Sequence, residues 1–263
     1  MARPIVAILS DFGSRDHYAG AMKGVILGIA SEATLVDISH DIPPHDVQTA
    51  AFELAAVYRH FPPGTVFLTV VDPGVGSARR GLAVDTGDYR LVAPDNGVLS
   101  VVFQETPPKD VVELTERRYA RPTVSRTFEG RDRFAPAAAW IAKGVHLSAL
   151  GRPVSDYRLL DLPAPKVDAA GATGEVLRVD RFGNLVSNID RKTFEKVALA
   201  GAIKIPVGTH EIGRLVETYA DIGDGEVCAL FGSTDHLEFA ANSASAVERL
   251  DLGHGAPVVD RHG

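Results

Sequence analysis

The chain has 263 residues, 45% of them hydrophobic and 23% charged, a globular composition long enough for one large domain or two. Lys+Arg 27 against Asp+Glu 34 gives a net charge of −7, and no basic run offsets it, which argues against a nucleic-acid partner and for a small-molecule one. One cysteine, Cys228 in the apolar stretch EVCALFG, excludes a disulfide framework or multi-cysteine metal site and fits a buried thiol in a reducing cytoplasm. The opening MARPIVAILSDF has too short an apolar run for a signal peptide, and no stretch reaches the roughly 20 apolar residues of a spanning helix, so no membrane role is expected.

In chain order, PIVAIL (4–9) predicts a strand, SDFGS a loop, and Tyr18, Met22, Val25, Ile26 and Ile29 share one side of a helix. TLVDI (34–38), a Pro-rich loop SHDIPPHD, a helix from Val47 to about Tyr58 and a buried strand at 65–71 repeat that order. GLAVDT and RLVAPD read as a hairpin-like pair, NGVLSVVF as a short helix, DVVELT as a strand, and residues from Asp132 to about Lys143 as a last helix with Asp132 as its cap. This alternation predicts an α/β domain at 1–161 with a mostly parallel sheet. LPAPKVD marks a linker at 162–169. From 170 to 263 the pattern changes to short alternating strands (TGEVLRVD, GNLVSNI, AIKIPVG, EVCALFG, HLEFAAN), which predicts a small antiparallel β-barrel-like domain.

Ligands in open α/β sheets bind where strands deliver their carboxyl ends. Asp11, Asp72 and Asp95 all follow predicted strands. Asp11 is either a helix cap or a carboxylate that accepts both hydrogens of a ribose diol. The stretch VVDPGVGSARRG (70–81) lacks the third glycine of a dinucleotide fingerprint and the Gly-Lys-Ser/Thr ending of a P-loop. Its Pro73-Gly74 turn can instead fold Arg79 back on Asp72, either as a structural ion pair or as a pair that orients water. Glu129, in TFEGRDRFAP, is either an inert residue at a helix entrance or a carboxylate aimed at Arg79. His40, Asp41, His45 and Asp46 crowd into seven residues and offer metal donors, although the two intervening prolines oppose convergence. His17, His60, His146, His210, His254 and His262 read as scattered surface positions. In the second domain, Phe182 and Asn184 of VDRFGNL either stack on and pair with a purine or form a hairpin turn with a core Phe. Ser233, Glu238, Asn242 and Ser243 are placed to line a polar pocket.

Taken in order, SDFG, HDIPPHDV, VVDPGVGSARR, APDNG, TFEGRDRFAPAAA, DRFGN and GSTDHLEFAAN resemble the S-adenosylmethionine hydroxide adenosyltransferases, the adenosine-forming S-adenosylmethionine hydrolases related to the fluorinase and chlorinase. The resemblance spans essentially the whole chain. It implies a homotrimer with substrate at the interface between subunits, and attack of water or hydroxide on ribose C5′ that releases methionine and adenosine, with no cofactor and no metal. By motif match, Asp11 would hold the ribose hydroxyls, Phe182 and Asn184 the adenine, and Asp16, Asp180 and Ser233 the methionine end. Glu238 and Ala241 would border the nucleoside. Phe128 would line the site, and His45 stands where an aromatic usually packs on the ribose. The hydrolases carry an Asp–Arg–His triad. Asp72 and Arg79 match its first two members, whereas Glu129 stands at the histidine position.

The resemblance therefore implies hydrolysis with a modified triad in which Asp72 and Glu129 accept the proton and Arg79 holds water. Arg79 within about 4 Å of both would favour their ionised forms. Asp72, Arg79, Gly130 and a carboxylate at 129 argue against a halide nucleophile. Two rivals stand beside this reading: a non-catalytic S-adenosylmethionine or adenosine binding protein, motivated by the altered triad, and a metal-dependent phosphoesterase built on the His40–Asp46 cluster.

Overall fold

The computed structural model describes residues 3–168, 171–197 and 205–261. The chain divides into two compact units, Met1–Leu160 and Asp161–Gly263.

In the first unit, β1 (Ile5–Ser10), β2 (Thr34–Ser39), β3 (Val66–Val70), β4 (Gly81–Asp85), β5 (Arg90–Pro94), β6 (Asp110–Leu114) and β7 (Gly151–Pro153) form one sheet in the order β2-β1-β3-β5-β4-β6-β7. The β2-β1-β3-β5 half is parallel, and β4, β6 and β7 extend it in antiparallel fashion. Side chains alternate across a strand, so β1 sends Val6 and Ile8 to one core and Ala7 and Leu9 to the other. The first core is closed by Met22 and Ile26 of α1 (Tyr18–Ile29) and the alanine-rich α4 (Ala135–Ala142). The second is closed by Ala50 and Leu54 of α2 (Val47–Val57) and Val102 and Phe103 of α3 (Ser100–Glu105). Coverage of both faces explains why the strands read as continuous apolar runs.

Three local expectations change. Asp46 caps α2 by accepting from Thr49 N at 2.9 Å, but α1 begins after His17 with no side-chain cap, so Asp11 is not a helix cap. The last helix of the unit starts earlier than expected, as a π-helical turn at Gly130–Phe134 that leads into α4. Asp132 lies inside that turn, fully buried, and accepts from Ser125 N and from both Arg131 Nε and Nη2. It ties the turn to the segment before it rather than capping a helix.

The second unit is an antiparallel sheet in the order β12-β11-β15-β9-β10-β14-β13, made of β9 (Gly171–Val179), β10 (Leu185–Asp190), β11 (Ile205–Val207), β12 (His210–Ile212), β13 (Val227–Phe231), β14 (His236–Ala241) and β15 (Pro257–Arg261). A bridge from Leu215, just past β12, to Ala229 of β13 brings the two ends of this order together and makes the sheet barrel-like. Its interior is filled by Val176, Leu185, Phe194, Ile205, Leu237, Phe239 and Val258. Two short helices, α5 (Arg191–Val197) and α6 (Ala246–Leu250), complete the unit. Of the segment read as a linker, residues 162–165 lack regular structure, Lys166–Asp168 form β8 on the edge of β9, and Ala169 lies outside the described residues. Residues 202–204 of AIKIPVG and His262 also lie outside them.

Gly81, the first residue of β4, has no room for a side chain: a Cβ there would strike the ring of Phe134. Gly81→Ala is therefore expected to lower stability by about 1–3 kcal/mol through overpacking. Urea unfolding monitored by circular dichroism measures it, and an unchanged midpoint would show that Phe134 is free to move.

Candidate active site

β1 and β3 are adjacent and in register, Ser10 opposite Val70, so the segments that leave their carboxyl ends emerge side by side. Asp11 follows the first and Asp72 the second. Between β3 and β4 the backbone turns twice, with Val75 N donating to Asp72 O at 3.2 Å and Ser77 N to Gly74 O at 3.2 Å. Ser77 Oγ then accepts from Arg79 N at 3.1 Å. These turns return Arg79 to Asp72, so VVDPGVGSARRG is neither a phosphate cradle nor a dinucleotide loop. Arg79 Nε and Nη2 donate to the two oxygens of Asp72 as a fork, the first at 3.0 Å, an arrangement stronger and more directional than a single contact.

The same guanidinium reaches a second carboxylate. Arg79 Nη2 donates to Glu129 Oε2 at 2.7 Å, while Nη1 donates to Arg80 O at 2.9 Å and the group lies over the Phe134 ring, 5.1 Å from its centroid. The Asp72, Arg79 and Glu129 side chains are 6%, 4% and 11% exposed, so this is a nearly dry ion cluster. Gly130 lets the π turn that follows Glu129 approach β3 and α1, because a Cβ there would lie 3.1 Å from Val70 Cγ1 and 3.2 Å from Met22 Sδ.

Arg79 lies close to both carboxylates, but its effect on Asp72 differs from expectation. Burial pushes the Asp72 carboxyl above its ordinary range; Arg79 opposes that shift without overcoming it, and Glu129 adds to it. Asp72 is thus a more basic carboxylate than an exposed one, because desolvation penalises the charged form.

The adjacent arginine does different work. Arg80 Nε donates to Asp95 Oδ2 at 2.8 Å and Nη1 to Asp156 Oδ1 at 2.7 Å, and Asp95 Oδ1 also accepts from Arg158 N. Asp95 is 3% exposed and fully engaged in holding the 156–158 segment, which makes it structural.

Asp11 Oδ2 accepts from His45 N at 2.9 Å, joining the β1–α1 and β2–α2 loops. His45 itself is exposed and holds the left-handed conformation, φ 69°. Asp16 is exposed in the first of these loops. His40 turns away from His45: Nδ1 meets Ser10 Oγ at 2.6 Å and Nε2 meets Asp37 Oδ1 at 3.1 Å. Ser10–His40–Asp37 has the order of a hydrolytic triad, but Ser10 is fully buried, and the network ties strand ends together. With Asp46 committed to the α2 cap, the His40–Asp46 cluster does not converge, and among the described residues no three His, Cys, Asp or Glu side chains form a metal-binding group. Phe128, 7% exposed, meets Phe12 and Tyr18 edge-on at 5.8 and 5.1 Å and lies beneath Arg131, forming an aromatic wall beside Glu129.

The second unit carries its own polar cluster. Asp180 Oδ1 accepts from Phe182 N and Asn184 N at 2.8 and 2.9 Å, and Oδ2 accepts from Asn184 Nδ2 at 2.9 Å. This closes the β9–β10 hairpin around Gly183, whose φ of 82° and contact with Ser245 admit no side chain. Of the two readings of this turn, the core Phe does not hold: Phe182 is 77% exposed at its tip. Glu238, 6% exposed, accepts from Tyr219 Oη at 2.8 Å, and burial raises its carboxyl above the usual range, with Tyr219 opposing and Asp180 reinforcing the shift. Gly232 leaves the space that Glu238 Oε2 occupies. Ser233 is exposed, and Ala241 is 6% exposed at the end of β14. Asn242 Nδ2 is spent on Ile222 O, and Ser243 Oγ lies 3.4 Å from Asp224 Oδ1. Cys228 is a buried free thiol. Most of the scattered histidines are exposed, but His210 is half-buried with Nε2 2.8 Å from Leu250 O.

Residues 6–151 match the SAM hydroxide adenosyltransferase N-terminal domain and residues 174–259 its C-terminal domain. The chain belongs to this family. It is 37% identical to a protein of Thermus thermophilus named (R)-S-adenosyl-L-methionine hydrolase, across 97% of this chain and 98% of that one. It is 30% identical to a protein of an Actinoplanes species named Fluorinase, across 97% and 96%. A crystal structure of an uncharacterized conserved protein from Thermotoga maritima superposes with a TM-score of 0.93 at 35% identity, over 98% of this chain and all of that one. Sequence reasoning passed over Arg133, four residues after Glu129 and bonded to it; the i,i+4 spacing of opposite charges was the signal that could have found it.

Arg79→Met is expected to cost about 3–5 kcal/mol near neutral pH, because two buried carboxylates lose their shared cation. Without it Asp72, already raised by burial, loses the cation that opposes that shift, so the deficit is full above its raised value and shrinks as pH falls through it. Thermal unfolding across a pH series measures this; a deficit independent of pH would show that Asp72 and Glu129 do not share the charge of Arg79.

Proposed function

We propose that the protein hydrolyses S-adenosyl-L-methionine to adenosine and L-methionine. The observation that carries this is the buried Arg79 held between Asp72 and Glu129 where the parallel strands end, in a family with relatives named (R)-S-adenosyl-L-methionine hydrolase. Oxygen of water bonds to ribose C5′ as the C5′–S bond breaks. The bonding pair leaves with sulfur as a neutral thioether, and one proton is released. No acid is needed for that leaving group and no metal or cofactor for the displacement. The protein has to align the three atoms, remove a proton and keep bulk water out, so that the charge of the sulfonium is neutralised in a desolvated site.

In this reading Asp72, made more basic by burial, accepts the proton, with Glu129 as the second acceptor. Arg79 holds water and keeps the two carboxylates in place. Asp11, oriented by His45 N, takes the ribose diol, and His45 and Phe128 flank the sugar. Asp16, Asp180 and Ser233 hold the methionine end. Phe182 stacks on adenine, Asn184 pairs with its edge, and Glu238 and Ala241 border the nucleoside. The exposed Phe182 ring on a turn braced by Asp180 supports that part: an aromatic face held in solvent suits a ligand better than a core. Water is the favoured nucleophile over a halide, because an anion placed at Arg79 would face two carboxylates. A cytoplasmic homotrimer with substrate at the interface between subunits belongs to the same proposal.

Purified protein incubated with S-adenosyl-L-methionine is expected to form adenosine and methionine in equal amounts, undiminished by a chelator. Binding without release would leave the non-catalytic reading standing. Asp72→Ala is expected to lower kcat by about 10²–10⁴-fold, the usual weight of a general base. Glu129→Ala should also fall well below wild type, and indistinguishable activity would remove Glu129 from the triad. A base ionises as pH rises, so the acid limb of kcat should lie above the ordinary carboxylate range, as the raised Asp72 requires. Sedimentation equilibrium tests the assembly, with three times the monomer mass expected.

A further inference from the structure

The Asp72–Arg79–Glu129 cluster has a fourth charged member. Arg133 Nη1 donates to Glu129 Oε1 at 3.0 Å, and its Nη2 donates to the carbonyl of Leu114, the last residue of β6, at 2.7 Å. Each oxygen of Glu129 is therefore taken by a different guanidinium, Oε2 by Arg79 and Oε1 by Arg133. Among the described residues, the charged groups that meet Glu129 are these two, with Asp72 across Arg79. Neighbouring Asp132 is paired with Arg131 and with Arg121.

A nearly buried site with two carboxylates around one cation carries an excess negative charge, which favours protonation of one of them. Arg133 supplies the missing positive charge. It does so from the π-helical turn Gly130–Phe134 that follows Glu129 directly, so one local segment places both the carboxylate and its counter-ion. The bond to Leu114 anchors the Arg133 fork to the sheet and restricts its freedom to swing away.

We propose that Arg133 is a positioning residue for the hydrolysis: it clamps Glu129 Oε1, balances the second carboxylate and keeps Oε2 on Arg79 beside Asp72. This rests on the hydrolase reading above.

The test is kcat, KM and thermal unfolding across pH for Arg133→Met and Arg133→Lys, each in the wild-type and Glu129→Gln backgrounds. Arg133→Met is expected to lower kcat about 10–100-fold with KM within about twofold, the pattern of a lost transition-state contact. Its acid limb should move to higher pH, because the site then holds two carboxylates around one cation. In the Glu129→Gln background the same substitution should change kcat little, since the two residues act as one unit. Wild-type kcat with an unmoved acid limb, or an equal loss in both backgrounds, would overturn the proposal. Should Arg133→Met not fold, Arg133→Lys carries the test. Lysine keeps the charge but cannot bridge Glu129 and Leu114 as a fork, so a several-fold lower kcat at an unshifted acid limb is expected, and full kcat would overturn the clamp. A readout independent of turnover separates this from the hydrolase reading. Loss of Arg133 should lower the unfolding temperature more in the wild-type background than in the Glu129→Gln background, where the carboxylate it balances is absent. If no adenosine forms from wild type, the hydrolase reading fails, while equal temperature losses in the two backgrounds defeat the clamp by itself.

Discussion

The guanidinium of Arg79, removed from solvent and shared by two carboxylates, is the constraint around which the first unit's site is arranged. Taking ions out of water costs several kcal/mol each unless geometry and hydrogen bonds repay it. Here the Nε–Nη2 fork on Asp72, the Glu129 bond, the Arg80 carbonyl and the Phe134 face surround the cation. The surrounding structure can be read as what keeps that arrangement dry: Gly81 yields to Phe134, Gly130 yields to Val70 and Met22, and Phe128, Phe12 and Tyr18 pack edge-on beside it.

Two carboxylates of similar chemistry are given different surroundings. Asp72 has one cation, Arg79, and the backbone N–H of Gly74 to offset its burial, and its carboxyl is still raised. Glu129 has Arg79 and Arg133. In a reaction that must deliver one proton to the protein, a more basic carboxylate beside a doubly held one is a division of labour that identical surroundings could not produce. The neighbouring arginines differ in the same way: Arg79 enters the cluster, while Arg80 fastens Asp95 and Asp156.

Much of this was legible in the chain. Apolar runs of parallel-strand character, the change to short alternating strands after the Pro-rich segment, and Asp11 and Asp72 at strand ends all follow from period and position. The turn chemistry of Asp-Pro-Gly also predicted the return of Arg79 to Asp72. Errors came where one residue type serves two purposes. Asp132 has the composition of a cap but is a buried acceptor inside a π turn. Asp95 sits at a strand end yet serves a distant segment. His40 and His45 neighbour each other in sequence and part in space, because one bonds Ser10 and the other turns its backbone to Asp11.

By itself the sequence determined what depends on local pattern: the α/β unit followed by a β-rich one, the strand ends that carry acids, and the ordered motifs of the family. Hydrophobic period and turn propensity act over a few residues, so a linear reading captures them. Only the tertiary structure decided which charges share a cation, which carboxyl burial makes basic, and that Arg133 completes the set. Those outcomes depend on distances between segments about fifty residues apart and on the exclusion of water from the space between them, and neither is a property of any one segment.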